Sequence, residues 1–140
     1  MIELQSILIL WETFRSIFKK CFRHECVSLE DIVKNSESEG AHIVWHDLSD
    51  WENLEDLEIF EKLKNLNEFN GEVYVVTEAS YKDGLGPFKL NSINLELFVE
   101  NHLNLIGECF FNGDVLIVDP ENLCMWVFHH EGVFAFISRV

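Results

Sequence analysis

The sequence predicts an α+β domain in which helices pack on an antiparallel β-sheet, with a C-terminal meander supplying the last strands. Apolar residues recur at helical spacing near the N-terminus, whereas short apolar runs alternate with turn residues near the C-terminus. The apolar share of 48%, which includes twelve Phe and four Trp, supports a packed core despite a net charge of −15. Because 140 residues is an ordinary domain length, we expect one domain over residues 1–140.

Two helices are predicted in the first forty residues. Apolar residues three and four apart form one stripe, which predicts a helix over 3–22 that packs on the core. The stripe consists of Leu4, Ile7, Leu8, Trp11, Phe14, Phe18 and Cys21. Ser28, followed by Glu30 and Asp31, is typical of a helix start, because a hydroxyl can accept a free backbone N–H and acids favour the positive end of the helix dipole. This second helix is predicted to end between residues 36 and 40.

The middle of the chain predicts a short strand and an interrupted helix. Residues 42–46 have strand composition, and residues 49–52 match a capping box. The apolar residues that follow recur every three positions, which drifts about 60° per step on a 3.6-residue helix. We therefore predict a break near residues 55–57. The side chains expected to face inward are Leu48, Trp51 and Leu54 before the break, and Ile59, Phe60, Leu63 and Leu66 after it.

The second half of the chain predicts a strand, a loop, a helix and the meander. A turn at Asn70-Gly71 precedes a strand over 72–78, and the loop 80–88 contains two Gly and one Pro. Ser92 is predicted to cap a helix that ends at Gly107, with Ile93, Leu97 and Phe98 among its buried residues. Turn residues then separate the four apolar runs of the meander, at 109–111, 115–118, 124–129 and 133–137.

The negative charge is concentrated in the middle of the sequence. Residues 1–27 have a net charge of +1, residues 28–79 of −11, and residues 80–140 of −5. Such a field repels nucleic acid and anionic membrane and attracts basic proteins, over a screening length of about 8 Å at physiological salt. We therefore expect no direct nucleic-acid partner and no membrane partner. The apolar run 7–11 is too short to cross a bilayer and lacks signal-peptide flanks, so we expect a cytoplasmic protein with reduced cysteines.

The acidic stretch between residues 47 and 61 is the candidate binding site. Only Lys62 and Lys64 lie near enough in sequence to compensate its charge. One interpretation is a solvated helix face, which is the usual role of a charge run, and the other is a docking surface for a basic partner. The residues of the candidate interface are Asp47, Asp50, Trp51, Glu52, Glu55, Asp56 and Glu58, with Trp51 as an aromatic anchor if it is not buried.

No motif predicts catalysis, a metal or a cofactor. Residues 83–87 place Pro where a phosphate-binding loop needs a backbone donor, and there is no Gly-x-Ser-x-Gly. His42 and His46 would be about 13 Å apart on a strand, too far to share an ion. Cys21 and Cys26, with His24 between them, lack the second pair that a zinc site needs. We therefore expect no metal and no cofactor.

The cluster His129-His130-Glu131 is compatible with an acid/base site or with a polar hairpin tip. Neighbouring residues on a strand point to opposite faces, so we expect at most one of the two histidines to join any one site. No Ser or Cys nucleophile can be assigned beside them. We therefore favour the hairpin tip and expect that the protein is not an enzyme.

The segments 107–119 and 126–134 share a pattern in which turn residues alternate with aromatic-rich strands. With this pattern in a small acidic chain, the sequence resembles immunity proteins of bacterial contact-dependent growth inhibition and related polymorphic toxin systems. The resemblance implies a single immunity-type domain that binds a basic C-terminal toxin domain, often a nuclease, and blocks it in the cytoplasm. An acidic surface suits this role because a nuclease needs a basic groove for phosphates. The alternative is a small-ligand or regulatory domain, in which the loop 80–88 closes over a pocket beside the sheet.

Overall fold

The computed structural model describes residues 2–139, and it confirms the predicted α+β class. The helices are α1 (Leu4–Ile7), α2 (Trp11–Phe22), α3 (Leu29–Ser38), α4 (Asp56–Leu66) and α5 (Leu95–Ile106). The strands are β1 (His42–Asp47), β2 (Glu72–Val76), β3 (Phe88–Asn91), β4 (Val115–Asp119), β5 (Cys124–His129) and β6 (Val133–Ser138). They form one antiparallel sheet in the order β1-β6-β5-β4-β2-β3, in which β4, β5 and β6 are the predicted meander.

Helices cover both faces of the sheet, because alternate residues of each central strand point to opposite sides. On β4, Val115 and Ile117 face the core that contains α4 and α5, whereas Leu116 and Val118 face the core that contains α2 and α3. The central strands are therefore almost wholly apolar. No helix within residues 2–139 has both the length and the apolar character needed to cross a bilayer.

The predicted helix over 3–22 is wrong in one respect, since the structure divides it into α1 and α2. Between them the chain is extended, Leu8 forms a β-bridge with Phe88, and the Ile9 N–H donates to the Pro87 carbonyl at 3.1 Å. Leu8 packs in the core on the α4 and α5 side, whereas Phe14 is fully buried in the opposite core. The apolar stripe thus serves both faces of the sheet, and the chain must cross the sheet edge between its two halves.

The predicted break before α4 is confirmed. A 3₁₀ turn, Trp51–Asn53, precedes α4, and the capping box is made by Glu55 and Glu58 rather than by residues 49 and 52. Leu48, Ile59, Phe60 and Leu63 are buried as expected. Leu66 is 43% exposed instead, because it is the last residue of the helix and no further turn covers it.

The buried face of α5 differs from the prediction. Ile93 is 85% exposed and Leu97 is 38% exposed, whereas Phe98 is buried as predicted. The α-helix begins only at Leu95, after a 3₁₀ turn over Ser92–Asn94, so its buried residues are Leu95, Phe98, Val99 and His102. In addition, the apolar run 109–111 is a loop instead of a strand, and strand β3 was not predicted.

Candidate functional site

A groove of about 760 Å³ lies where the start of α4, the middle of α5 and the loop before β4 come together. Four carboxylates line it, from Glu52, Glu55, Asp56 and Glu100. Apolar side chains line the rest of its wall, together with one thiol and one amide, and these are Trp51, Leu54, Leu57, Ile59, Leu103, Cys109, Phe111 and Asn112. We call this feature the acidic groove.

The acidic groove contains part of the predicted interface. Trp51, Glu52, Glu55 and Asp56 line it together, whereas Asp47, Asp50 and Glu58 lie outside its lining. Glu100 is a member that sequence reasoning missed. It belongs to α5, well beyond the acidic stretch in sequence, and only the packing of α4 against α5 brings it there.

Several of the predicted carboxylates already hold the local backbone. Asp56 accepts hydrogen bonds from the Phe110 N–H at 2.7 Å and the Phe111 N–H at 3.2 Å, which ties the loop before β4 to the first turn of α4. Asp47 accepts from the Ser49 N–H at 2.8 Å, and the Glu58 carboxylate accepts from the Glu55 N–H at 3.0 Å. These side chains therefore stabilise the local backbone whether or not a partner binds.

Two groove carboxylates, and one predicted carboxylate outside the groove, make no such contact. Within the described residues, Asp50, Glu52 and Glu100 have no hydrogen-bond partner for their side chains. None of the four groove carboxylates forms a salt bridge with a Lys or Arg of residues 2–139. Lys62 and Lys64, the two cations nearest in sequence, also form no ion pair there. The charge of the groove is therefore left for solvent or for a bound cation.

Trp51 is a wall of the acidic groove and is only partly exposed. Its indole N–H donates to the His130 carbonyl at 2.9 Å, and its ring packs edge-on against Phe128 at 5.5 Å between ring centroids. These contacts fix the ring orientation. Trp51 can therefore offer an apolar edge to a partner, but its indole donor is already used.

Cys109 is the one thiol that lines the groove among the described residues. Partial desolvation raises the pKa of this exposed thiol, and the neighbouring carboxylates of Asp56 and Glu108 raise it further. A thiol is a poor nucleophile compared with its thiolate. The groove therefore offers charge and shape for binding, without an activated sulfur.

The histidines at the β5–β6 turn are arranged differently from the prediction. The rings of His129 and His130 lie 4.3 Å apart between centroids, tilted by 31°, so the expectation that at most one of them joins a given site is wrong. His129 is the last residue of β5 and His130 belongs to the turn, where the strand alternation no longer applies. Asp114 lies beside both, and all three ligand atoms are within 4.8 Å of one another.

The remaining sequence candidates lie apart from the groove. His42 and His46 are on strand β1, as predicted, and Cys21, Cys26 and Cys124 are free thiols outside the groove lining. In the loop 80–88, the Gly86 N–H donates to the Ser80 carbonyl at 2.9 Å, and residues 84–86 line a separate cavity of about 580 Å³ with residues 8–12 and 15. This cavity lies at the β3 edge of the sheet, where the N-terminal segment crosses.

Comparisons of the chain with protein-family models, with curated proteins and with solved structures find no match. The interpretation of the acidic groove therefore depends on its own geometry and charge. Two properties decide that interpretation: carboxylates without cationic partners, and an apolar wall between them.

Proposed function

We propose that this chain is a cytoplasmic immunity protein, which binds a cognate toxin domain through the acidic groove and neutralises it. The observation that supports the proposal most strongly is that Glu52 and Glu100 line one groove and that neither forms a salt bridge with a Lys or Arg of residues 2–139. Clustered like charges cost stability through mutual repulsion, so a cationic partner that neutralises them gains the relief of that repulsion.

A basic side chain fits the groove in both of its parts. The charged head of a Lys or Arg can meet the carboxylates, while its methylene stem lies along apolar side chains such as Leu54, Leu57 and Leu103. A nuclease toxin presents such side chains because it must bind phosphates. Occupying them with protein carboxylates competes directly with the nucleic acid.

Inhibition of this kind requires stoichiometric binding and no chemistry by the immunity protein. Electrostatic complementarity acts mainly on the association rate, which steering can raise by 10- to 1,000-fold. A fast association rate suits an antidote, since the toxin must be captured before it reaches its substrate. The protein is accordingly proposed not to be an enzyme.

The proposal can be tested by reversing charge inside and outside the groove. The double variant Glu52→Lys/Glu100→Lys is compared with Glu61→Lys/Glu96→Lys, which changes net charge equally on exposed residues of α4 and α5 that do not line the groove. Association with the proposed toxin domain, sought first in the reading frame immediately upstream, is measured by stopped-flow at low salt. We expect the groove variant to associate at least about tenfold more slowly than the control. Equal rates for the two variants would refute the role of the groove.

A small-ligand function remains the second candidate, because the groove volume of about 760 Å³ is within the usual range for small-molecule sites. The carboxylates would then select a cationic metabolite, such as a polyamine. Thermal-shift measurements with cationic metabolites distinguish the two functions. A saturable rise in Tm with one metabolite, abolished by Glu52→Lys/Glu100→Lys, supports the second function, and no rise with any of them counts against it.

A further inference from the structure

We propose that Asp114, His129 and His130 form a binding site for a divalent transition-metal ion, for which Zn²⁺ is the best match. The site is distinct from the acidic groove and does not depend on the proposed function. The donor set of two imidazole nitrogens and one carboxylate oxygen is typical of zinc sites that keep one coordination position open. It suits Ca²⁺ and Mg²⁺ poorly, because these ions prefer oxygen ligands.

The backbone places the three residues together. Antiparallel pairing of Val115 with Phe128 puts Asp114, just before β4, beside His129 at the end of β5. The His130 N–H donates to the Asp114 carboxylate at 2.9 Å, which fixes the turn against the strand start. The site is thus built on the ends of two central strands, and it does not rely on a long loop.

Side-chain contacts also orient the possible ligands. The Asp114 carboxylate oxygen lies 2.8 Å from His130 Nδ1, so these two ligand atoms are already neighbours, joined by a hydrogen bond that a metal ion would replace. Glu30 Oε1 lies 2.9 Å from His129 Nε2. A carboxylate bonded to one ring nitrogen of a histidine commonly holds the other nitrogen toward a metal. Glu30 can supply that orienting contact, and His129 would then bind the ion through Nδ1, which would release the hydrogen bond that it accepts from the Glu131 N–H at 3.3 Å.

The distances are compatible with a metal after small rotations. Zinc bonds of about 2.0–2.2 Å in tetrahedral geometry place ligand atoms roughly 3.4 Å apart. The three ligand atoms are within 4.8 Å of one another, and the Asp114 oxygen and His130 Nδ1 are only 2.8 Å apart. Binding an ion therefore requires shifts on the order of 1 Å, in which this close pair separates while the more distant ligand atoms approach. The His130 side chain is 56% exposed and is free to make such a shift.

The surroundings favour a cation and leave room beside it. A cavity of about 320 Å³ adjoins the cluster and is lined by Glu30, Glu78, Tyr81 and Asp114, among others. Glu131 adds a further carboxylate next to His130 in sequence. A divalent ion would offset this local negative charge, and a water molecule or a donor from a partner could take its open position.

Titration calorimetry of the metal-free full chain with ZnCl₂ tests the proposal. We expect one equivalent to bind, with no saturable binding of CaCl₂. The variants His130→Ala and Asp114→Asn should weaken zinc binding at least about tenfold, whereas His42→Ala, which removes an exposed imidazole on β1, should not. Far-UV circular dichroism confirms that each variant is folded. Zinc affinity that is equal in the site variants and the control would overturn the proposal, as would the absence of a one-equivalent transition.

Cobalt substitution gives an independent readout of the coordination. Co²⁺ bound by two imidazoles, a carboxylate and water should show the intense visible bands of a four-coordinate ion, and His129→Ala should lose them. The groove variant Glu52→Lys/Glu100→Lys should retain these bands, which separates this site from the proposed function. A spectrum that matches aqueous Co²⁺ would show that the histidines and Asp114 are only surface ion pairs.

Discussion

Replacing Asp56 with Ala removes the carboxylate that holds the loop before β4 against the first turn of α4. The variant loses two hydrogen bonds, from the Phe110 N–H at 2.7 Å and the Phe111 N–H at 3.2 Å. Phe110 and Phe111 are both buried, so the loop they occupy is part of the core. We therefore expect Asp56 to affect folding more than any other carboxylate of the groove.

The magnitude follows from the two contacts. A hydrogen bond to a charged group contributes about 1.5–3 kcal/mol, and the longer of the two bonds is expected at the low end of that range. Asp56 is half-buried, so water can partly replace the lost acceptor. We expect Asp56→Ala to lower the free energy of unfolding by about 2–3 kcal/mol, and Asp56→Asn, which keeps one acceptor oxygen, by about half of that.

Urea denaturation followed by tryptophan fluorescence measures this loss. The matched control is Asp50→Ala, which removes an exposed carboxylate without a hydrogen-bond partner among residues 2–139 and should change stability by less than about 0.5 kcal/mol. If Asp56→Ala were as stable as Asp50→Ala, the two backbone contacts would have no energetic role. Asp56 would then have no role in folding, and its carboxylate would be available only for binding a partner.

Two further predictions concern folding. Gly132→Ala should lower the free energy of unfolding, measured by urea denaturation, by about 2–4 kcal/mol, because φ is +89° and the new Cβ would lie 2.9 Å from the Leu48 carbonyl oxygen. The control Gly107→Ala also has a positive φ but has open space for its Cβ, and it should cost about 1 kcal/mol. Equal losses in the two variants would show that the contact with Leu48 has no energetic effect. Burial lowers the pKa of His102 from its ordinary 6.5, so its stabilising neutral form is fully present above pH 6.5 and its contribution is lost as pH falls towards the lowered pKa. Between pH 6.5 and 5, the stability of His102→Gln should consequently fall less steeply than that of the wild type, and parallel curves would refute the assignment.

Much of the fold could be predicted because local sequence and tertiary packing agree there. Strands β4, β5 and β6 are short apolar runs bounded by turn residues. Helix α3 begins just after Ser28, whose hydroxyl caps the helix by accepting a hydrogen bond from the Asp31 N–H. The break before α4 was predictable because a three-residue apolar repeat cannot stay on one face of a helix. In each case the signal lies within about ten residues.

The predictions of secondary structure fail where the local sequence pattern does not reveal which part of the fold a segment packs against. The N-terminal stripe is continuous in sequence, yet α1 and α2 pack on opposite faces of the sheet, which no local periodicity reveals. Strand β3 is only four residues long and depends on pairing with β2 and on the bridge to Leu8. Its formation is a tertiary effect, so its own composition did not predict it.

The sequence predicts the negative charge of the candidate site, but it does not predict which distant residues complete the groove. The acidic stretch identified Glu52, Glu55 and Asp56, whereas Glu100 required the packing of α4 against α5. The pairing of His129 with His130 also escaped prediction, because strand alternation was extended one residue into a turn. Sequence spacing describes regular elements well, and both of these features arise where elements end or meet.

The most direct test of the acidic groove is hydrogen–deuterium exchange of the chain, alone and bound to the proposed toxin partner. We predict slower exchange on binding at residues 51–57 and 100–112, which contain the groove, with little change in α2 (Trp11–Phe22) and α3 (Leu29–Ser38) on the other face of the sheet. Protection confined to α2 and α3, with none along the groove, would contradict the account.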